Sequence, residues 1–324
     1  MITRRSFLTG LGTLGCAALL PGCGRATAPL RIATNPWVGY EFMFLAQREG
    51  WISAQDTVLV EAGSATVSLD LLAAGKADGA ALTLDEMLRG RERGLPLMAV
   101  LVFDVSLGAD VLLARPDIKT LAQLRGNRIG YEPSGVGALM LHKALAAAGL
   151  RPDEVKTLPV TVDRHLQTWR SGEIDALITF EPVASHAQAE GARRLFDSSH
   201  IPNTIFDELA VTPAAAKRHP DALRQLVTAH FRGQAHFRKN PEDTAYRMAE
   251  SFKLAPKEVI GAFKGLELPN AARNRKLLQG TDGIILNAAK ELTTVLAQAG
   301  SLKRADMTLS NLVSTDFLPR EELK

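Results

Sequence analysis

The chain has 324 residues, a length that suits about two domains. Hydrophobic residues make up 46% and charged residues 23%, a balance that excludes a disordered or fibrous chain. Formal net charge is +3, and without Arg4 and Arg5 of the leader it is +1 (36 basic against 35 acidic), so nothing points to nucleic acid as a partner.

The first stretch is an export leader. Thr3-Arg4-Arg5-Ser6-Phe7-Leu8 is a twin-arginine pattern, and the apolar run from Phe7 to Leu20 is too short to span a bilayer. It ends in Leu20-Pro21-Gly22-Cys23, which resembles a bacterial lipobox. Cys23 is then expected to carry lipid and to anchor the chain to a membrane, with residues 24–29 as a tether. A plain signal peptide cut elsewhere is the alternative. Gly10-x-Gly12-x-x-Gly15 copies a dinucleotide-binding fingerprint, but no strand precedes it inside the leader. Cys16 leaves with the leader, so neither an intrachain disulfide nor a cysteine nucleophile is expected.

Beyond the tether the chain alternates short apolar strands with helices. Leu30–Thr34 is a strand, Asn35–Glu41 a loop, and Phe42, Phe44 and Leu45 belong to a helix ending near Gly50. Thr57–Glu61 is a second strand, and Gly63-Ser64-Ala65-Thr66 leads into a helix over Val67–Ala74. Ala77–Leu82 is a third strand running into a helix capped by Thr83, with Glu86 as its capping-box partner. Leu97–Phe103 and Val111–Ala114 are strands flanking a polar loop, Asp104–Asp110. Residues 30–115 are assigned to a first lobe, with Pro116 marking the crossing into a second lobe over 116–206. There the strand Arg128–Tyr131 turns through Glu132-Pro133-Ser134-Gly135 into a helix from Val136. Free N–H groups at such a turn hold small ligands, anions especially. Asp175–Phe180 is a buried strand ending at Glu181-Pro182, and Arg194–Phe196 is another. Ile205–Val211 should cross back, and residues 207–324 should complete the first lobe with helices broken at Pro241, Pro256 and Pro269. Two crossings make a hinge.

One unit occurs twice. Arg31, Ile32 and Pro36 match Arg128, Ile129 and Pro133 at an offset of 97 (128 − 31), as Gly75 and Asp78 match Gly172 and Asp175 (175 − 78). Between them Leu69 meets Leu166, and Leu72 meets Trp169. Two similar α/β lobes would face matching loops across a cleft, at the carboxyl ends of their strands.

No enzyme, metal or cofactor signature stands out. The histidines are scattered, with His230 and His236 six apart, and neither G-x-S-x-G nor H-E-x-x-H occurs. Asp85 and Glu181 have the types of an acid–base pair, but each ends a strand at an equivalent place, which suits ligand contact equally. Trp37 and Tyr40 sit in a Pro/Gly loop of an aromatic-poor chain, as an apolar cleft wall requires. Ser64 and Thr66, with Thr161 and Asp163 as counterparts, read as ligand contacts or as helix caps.

These stretches together resemble the periplasmic solute-binding proteins of nitrate/sulfonate/taurine-type ABC importers, which include pyrimidine-precursor binders of the thiamine-synthesis group. The matching pieces are Asn35-Pro36-Trp37-x-Gly39-Tyr40-Glu41, Gly63–Thr66, Ala73-Ala74-Gly75-x-x-Asp78, Leu82–Glu86, Leu121-x-x-Leu124-x-Gly126-x-x-Ile129-Gly130, Gly172-x-x-Asp175-Ala176 and Glu181-Pro182. The resemblance implies an α/β, two-lobed periplasmic binding protein fold of type II, with a hinge and an interlobe cleft. It implies ligand capture by hinge closure, delivery to ABC permease and ATPase subunits, and a monomer. Carried onto this chain, the family's contacts fall at Trp37, Ser64, Thr66, Thr83, Asp85, Ser106, Ser134, Gly135 and Glu181. Family precedent favours an oxyanion such as a sulfonate. The cleft loops nonetheless hold Glu41, Asp85, Asp104, Asp110, Glu132, Asp163 and Glu181 against Arg164, which favours a small polar molecule carrying nitrogen. A ligand-sensing lipoprotein that serves a membrane signalling partner would use the same fold.

Overall fold

A computed structural model describes residues 28–133, 136–252, 254–280, 282–298, 300–303 and 306–321. The leader, Cys23, Ser134 and Gly135 lie outside the described residues, and with them the export and lipidation readings.

The chain builds one α/β unit twice. In the first, β1 (Leu30–Thr34), α1 (Glu41–Arg48), β2 (Thr57–Glu61), α2 (Ala65–Ala73), β3 (Gly79–Thr83) and α3 (Leu84–Glu92) follow one another, and β4 (Met98–Ser106) comes next. After β5 (Val111–Ala114) the second consists of β6 (Arg128–Tyr131), α4 (Val136–Ala148), β7 (Lys156–Pro159), α5 (His165–Ser171), β8 (Ala176–Thr179), α6 (Val183–Ala189) and β9 (Arg193–Asp197). The chain returns in β10 (Phe206–Val211). It continues through α7 (Pro213–Arg218), α8 (Pro220–Lys239), α9 (Pro241–Phe252), α10 (Pro256–Ala262), β11 (Leu266–Glu267), α11 (Ala271–Leu277) and α12 (Ile284–Gln298).

Among the described residues the strands form a six-stranded sheet, ordered β11-β4-β10-β3-β1-β2, and a five-stranded sheet, ordered β7-β6-β8-β5-β9. β1 pairs parallel with β2 and β3, as β6 does with β7 and β8. Helices cover both faces of such sheets, which is why β3 and β8 are buried along their whole length and read as unbroken apolar runs.

The anchors of the repeat have a physical basis. Gly75 and Gly172 take positive φ just past α2 and α5, where a side chain would be strained. Three residues on, Asp78 accepts from the Arg31 backbone N–H at 3.0 Å and from its guanidinium at 2.9 and 3.2 Å. Asp175 accepts the same three bonds from Arg128 at 2.8, 2.9 and 2.7 Å. Each bidentate clamp ties the start of one strand to the approach of its parallel neighbour.

β5 pairs with β8 and β9, so it belongs to the second sheet. The first crossing therefore lies at residues 107–110 and not at Pro116. Both flanking strands are apolar, and only their partners reveal the change of sheet. The second crossing runs over residues 198–205. The two crossings meet: the Ser106 and Ser198 hydroxyls are 2.7 Å apart, and the Gly108 N–H donates to Ser198 Oγ at 2.6 Å. The C-terminal helices complete the first lobe, with α8 packed on α1 and α12 on α3. Leu223, Leu226 and Val227 of α8 and Ile285, Ala289 and Leu292 of α12 are buried in the core. No helix of the described residues is long and apolar enough to cross a membrane.

Candidate ligand-binding cleft

The loops after β1, β2 and β3 face those after β6, β7 and β8 across a cleft of about 550 Å³. The first lobe contributes Asn35, Pro36, Trp37, Tyr40, residues 63–66, Thr83 and Glu86. The second contributes Glu132, Val136, Gly137, residues 161–163, His165 and residues 178–180. Asp110, on the first crossing, and Asp207, on β10, complete the wall. This is the carboxyl end of the parallel strands, where open α/β sheets bind ligands.

Trp37 is half-buried and its indole N–H donates to Asp104 Oδ2 at 3.0 Å. Its ring meets Phe180 of the other lobe edge-on, 5.2 Å between centroids. Gly39 makes this possible: a Cβ there would lie 1.7 Å from Asp104 Oδ2. Tyr40 is buried against Phe103 and its hydroxyl donates to Asp207 Oδ1 at 2.5 Å. Ser64 lines the cleft and also caps α2, accepting from the Val67 N–H at 3.3 Å.

The cleft floor is acidic. Asp104 and Asp207 stand directly opposite each other on β4 and β10, which puts both side chains on one face. Burial pushes Asp104 up to about 7, with the charge of Asp110 adding and the Trp37 N–H opposing. Burial, then the charge of Asp104, holds Asp207 well above the carboxylate range, and burial does the same to the Tyr40 hydroxyl. Glu86 is pushed up to about 8 by burial and by Asp85, with Arg89 opposing. Asp110 rises to about 6 by burial, against its hydrogen bond to Ser106, and its Oδ2 has no hydrogen-bond partner. His165 is held neutral by burial: its Nε2 faces the Val160 carbonyl at 3.3 Å and its Nδ1 faces the Thr179 hydroxyl at 3.1 Å. A carbonyl only accepts, so Nε2 carries the proton and Nδ1 accepts. Among the described residues of the wall none is Lys or Arg. Nor do any three His, Cys, Asp or Glu of the described residues group so as to hold a metal ion.

Nine of the residues singled out from sequence, Trp37, Tyr40, Ser64, Thr66, Thr83, Asp110, Glu132, Thr161 and Asp163, come together on this wall. Three others do not. Asp85 turns into the first turn of α3, accepting from the Thr83 hydroxyl at 2.7 Å and pairing with Arg89 at 3.6 Å. Ser106 is fully buried in its bond with Ser198. Glu181 folds back on α6, accepting from the Ser185 N–H at 3.1 Å and hydroxyl at 2.9 Å. Ser134 and Gly135 lie outside the described residues. Of the loop acids, Glu41 pairs with Arg48 away from the wall and is pushed up to about 7 by burial. Arg164 is also absent from the wall.

Glu86, His165, Phe180 and Asp207 escaped the sequence reading. Glu86 hid behind its capping role, since its Oε2 accepts the Thr83 N–H at 2.9 Å. An Asp207-Glu208 pair inside an apolar strand was the signal available for Asp207.

Two α/β lobes, two crossings and a cleft between matching loops define the two-lobed fold of the periplasmic binding proteins. The family model "NMT1/THI5 like" matches residues 39–244, and the chain belongs to this family. A putative aliphatic sulfonates-binding protein of Escherichia coli is 28% identical over 159 residues, 48% of this chain and 49% of that protein. A putative thiamine biosynthesis protein of Haemophilus influenzae is 28% identical over 141 residues, 42% of this chain and 44% of that protein. The chain thus spans about half the length of the curated relatives it matches. Among solved structures, the alkanesulfonate-binding protein SsuA of Xanthomonas axonopodis bound to MOPS superposes with a TM-score of 0.71. It is 17% identical, over 86% of this chain and 95% of that one. The desulfurization enzyme DSZB has the same fold at a TM-score of 0.60 and 16% identity, over 85% of this chain and 94% of that one, so the fold is compatible with catalysis as well as binding.

Proposed function

We propose that this chain is the substrate-binding component of an ABC importer, not an enzyme. It captures a small polar organic solute, a sulfonate or a nitrogen-containing compound, and delivers it to a membrane permease. One observation carries this reading: matching loops from two hinged lobes line a single cleft of about 550 Å³, within the range of small-molecule sites. Trp37, Tyr40, Ser64, Thr66 and Thr83 are the proposed contacts from the first lobe, and the family resemblance adds Ser134 and Gly135, which lie outside the described residues. Export by the twin-arginine route and a lipid on Cys23 would hold a monomer at the periplasmic face of a bacterial membrane.

A thermal-shift screen of the full chain in detergent tests the reading, with sulfonates, nitrate, amines, amino acids and pyrimidines as the panel. A solute present at about 100 times its Kd stabilises the fold by roughly 2.7 kcal/mol, a shift of several degrees. A hit recovered chemically unchanged supports the binder. Turnover of the hit, or no shift from any class, refutes it. Loss of the lipid mass in Cys23→Ala checks the anchor.

A further inference from the structure

The wall of the cleft poses a charge problem. Glu86, Asp110, Asp163 and Asp207 line it, no Lys or Arg is among the described residues of the wall, and Arg89, which opposes the rise of Glu86, lies outside it. Glu86, Asp110 and Asp207 are each more than nine-tenths buried. Asp207 senses the charges of both Asp110 and Glu86, so the three act on one region. Asp110 Oδ2 is without a hydrogen-bond partner inside the wall. A buried carboxylate oxygen with no donor is a vacancy for one. Above this floor stand Trp37 and Phe180, one from each lobe, and Tyr40 lies beside them with its hydroxyl committed to Asp207.

We infer that the solute is an organic cation, with its ammonium or amidinium group on Asp110, Glu86 and Asp207 and its apolar part against Trp37 and Phe180. This rests on the cleft being the solute site. In the empty cleft burial keeps Glu86 and Asp207 protonated while Asp110 is ionised, so an arriving cation releases their protons, whereas a bare anion meets the charge of Asp110 with no counter-charge on the described wall, and His165 supplies none because it is neutral. A metal ion does not fit, since the described acids do not group as ligands. An organic cation satisfies both halves of the wall: its N–H groups supply a donor to the Asp110 carboxyl, whose buried Oδ2 lacks one, and its apolar part packs against the aromatic pair of Trp37 and Phe180.

Three probes of one shape separate the possibilities: benzylamine, benzyl alcohol and benzenesulfonate, with benzamidine, agmatine and histamine widening the cationic set. Titration calorimetry on the full chain in detergent at pH 7.5 reads their affinities. At least one cation should bind, and benzylamine should bind at least tenfold more tightly than benzyl alcohol. Asp110→Asn should weaken the cation at least tenfold, while leaving the alcohol within twofold and the melting temperature unchanged or higher. Should that variant fail to fold, Glu86→Gln carries the same expectation. Benzenesulfonate binding as tightly as benzylamine, or variants that leave the cation unaffected, would overturn the inference and leave solute capture standing. No binding by any cation also overturns it. Silence from every class of the wider panel removes solute capture as well.

Discussion

The indole of Trp37 stands at 89° to the ring of Phe180, 5.2 Å between centroids, so each lobe gives one aromatic ring to the same cleft. Such a pair contributes about 0.5–1.5 kcal/mol beyond its burial. Trp37→Ala should lower solute affinity at least tenfold and lower the melting temperature by only a few degrees, because the side chain is half-exposed. Trp37→Phe keeps the ring contact but removes the N–H that Asp104 accepts, and should give an intermediate loss. Calorimetric titration of both variants checks the order.

The acidic floor makes the empty protein sensitive to pH. Folding raises Glu86 from 4.5 to about 8 and Asp104 from 3.8 to about 7, and holds Asp207 and Glu208 well above their usual range. An acid raised on folding stabilises the fold below its unfolded value and loses that contribution as pH climbs through the folded value. The histidines with depressed values, His142, His165, His219 and His230, work the other way, but only below about 6.5. Between pH 6.5 and 8 the carboxyls act unopposed, so the ligand-free melting temperature should fall across that window. Glu86→Gln should flatten the slope in scanning calorimetry. A rise with pH would contradict the burial of these acids.

The two Arg–Asp clamps differ in strength although they are alike in geometry. Asp78 is 5% exposed and takes a further bond from Arg218 at 2.6 Å, whereas Asp175 is 24% exposed and its Arg128 partner 46%. Hydrogen bonds to buried charges contribute about 1.5–3 kcal/mol, against about 0–1 kcal/mol for an exposed pair. Asp78→Ala should cost roughly 2–3 kcal/mol and Asp175→Ala about 1 kcal/mol in urea unfolding. Equal or reversed losses would show that the clamps are set by something other than burial.

Ser106 and Ser198 join the two crossings with both side chains fully buried. Removing either hydroxyl takes a buried hydrogen bond from the other, which keeps only its backbone donor (Gly108 N–H on Ser198, Asp110 N–H on Ser106), at a cost of about 1–2 kcal/mol. The double variant Ser106→Ala/Ser198→Ala should lose less than the two single losses together, and a double-mutant cycle reads that coupling.

How legible all this was in the sequence depended on range. The repeat could be read because its anchors are local: a glycine past a helix, an aspartate three residues on and an arginine at a strand start. The capped helix at Thr83 and the Trp37/Tyr40 loop were legible for the same reason. What could not be read was which way a side chain turns. Asp85 and Glu86 are neighbours, yet α3 turns Glu86 to the cleft and Asp85 to Arg89. Ser106 ends a strand beside the cleft loops, but its partner is 92 residues away. The change of sheet at Val111 was hidden for a related reason, since β4 and β5 are both apolar and only their pairing distinguishes them.

Hydrogen exchange, with and without the compound that gives the largest thermal shift, tests most directly whether both lobes grip one solute. Slowed exchange should appear together in Trp37–Tyr40 and Ser64–Thr66 of the first lobe and in Thr161–His165 and Thr179–Phe180 of the second. Slowing confined to one lobe, or centred elsewhere on the molecule, would contradict a shared interlobe site.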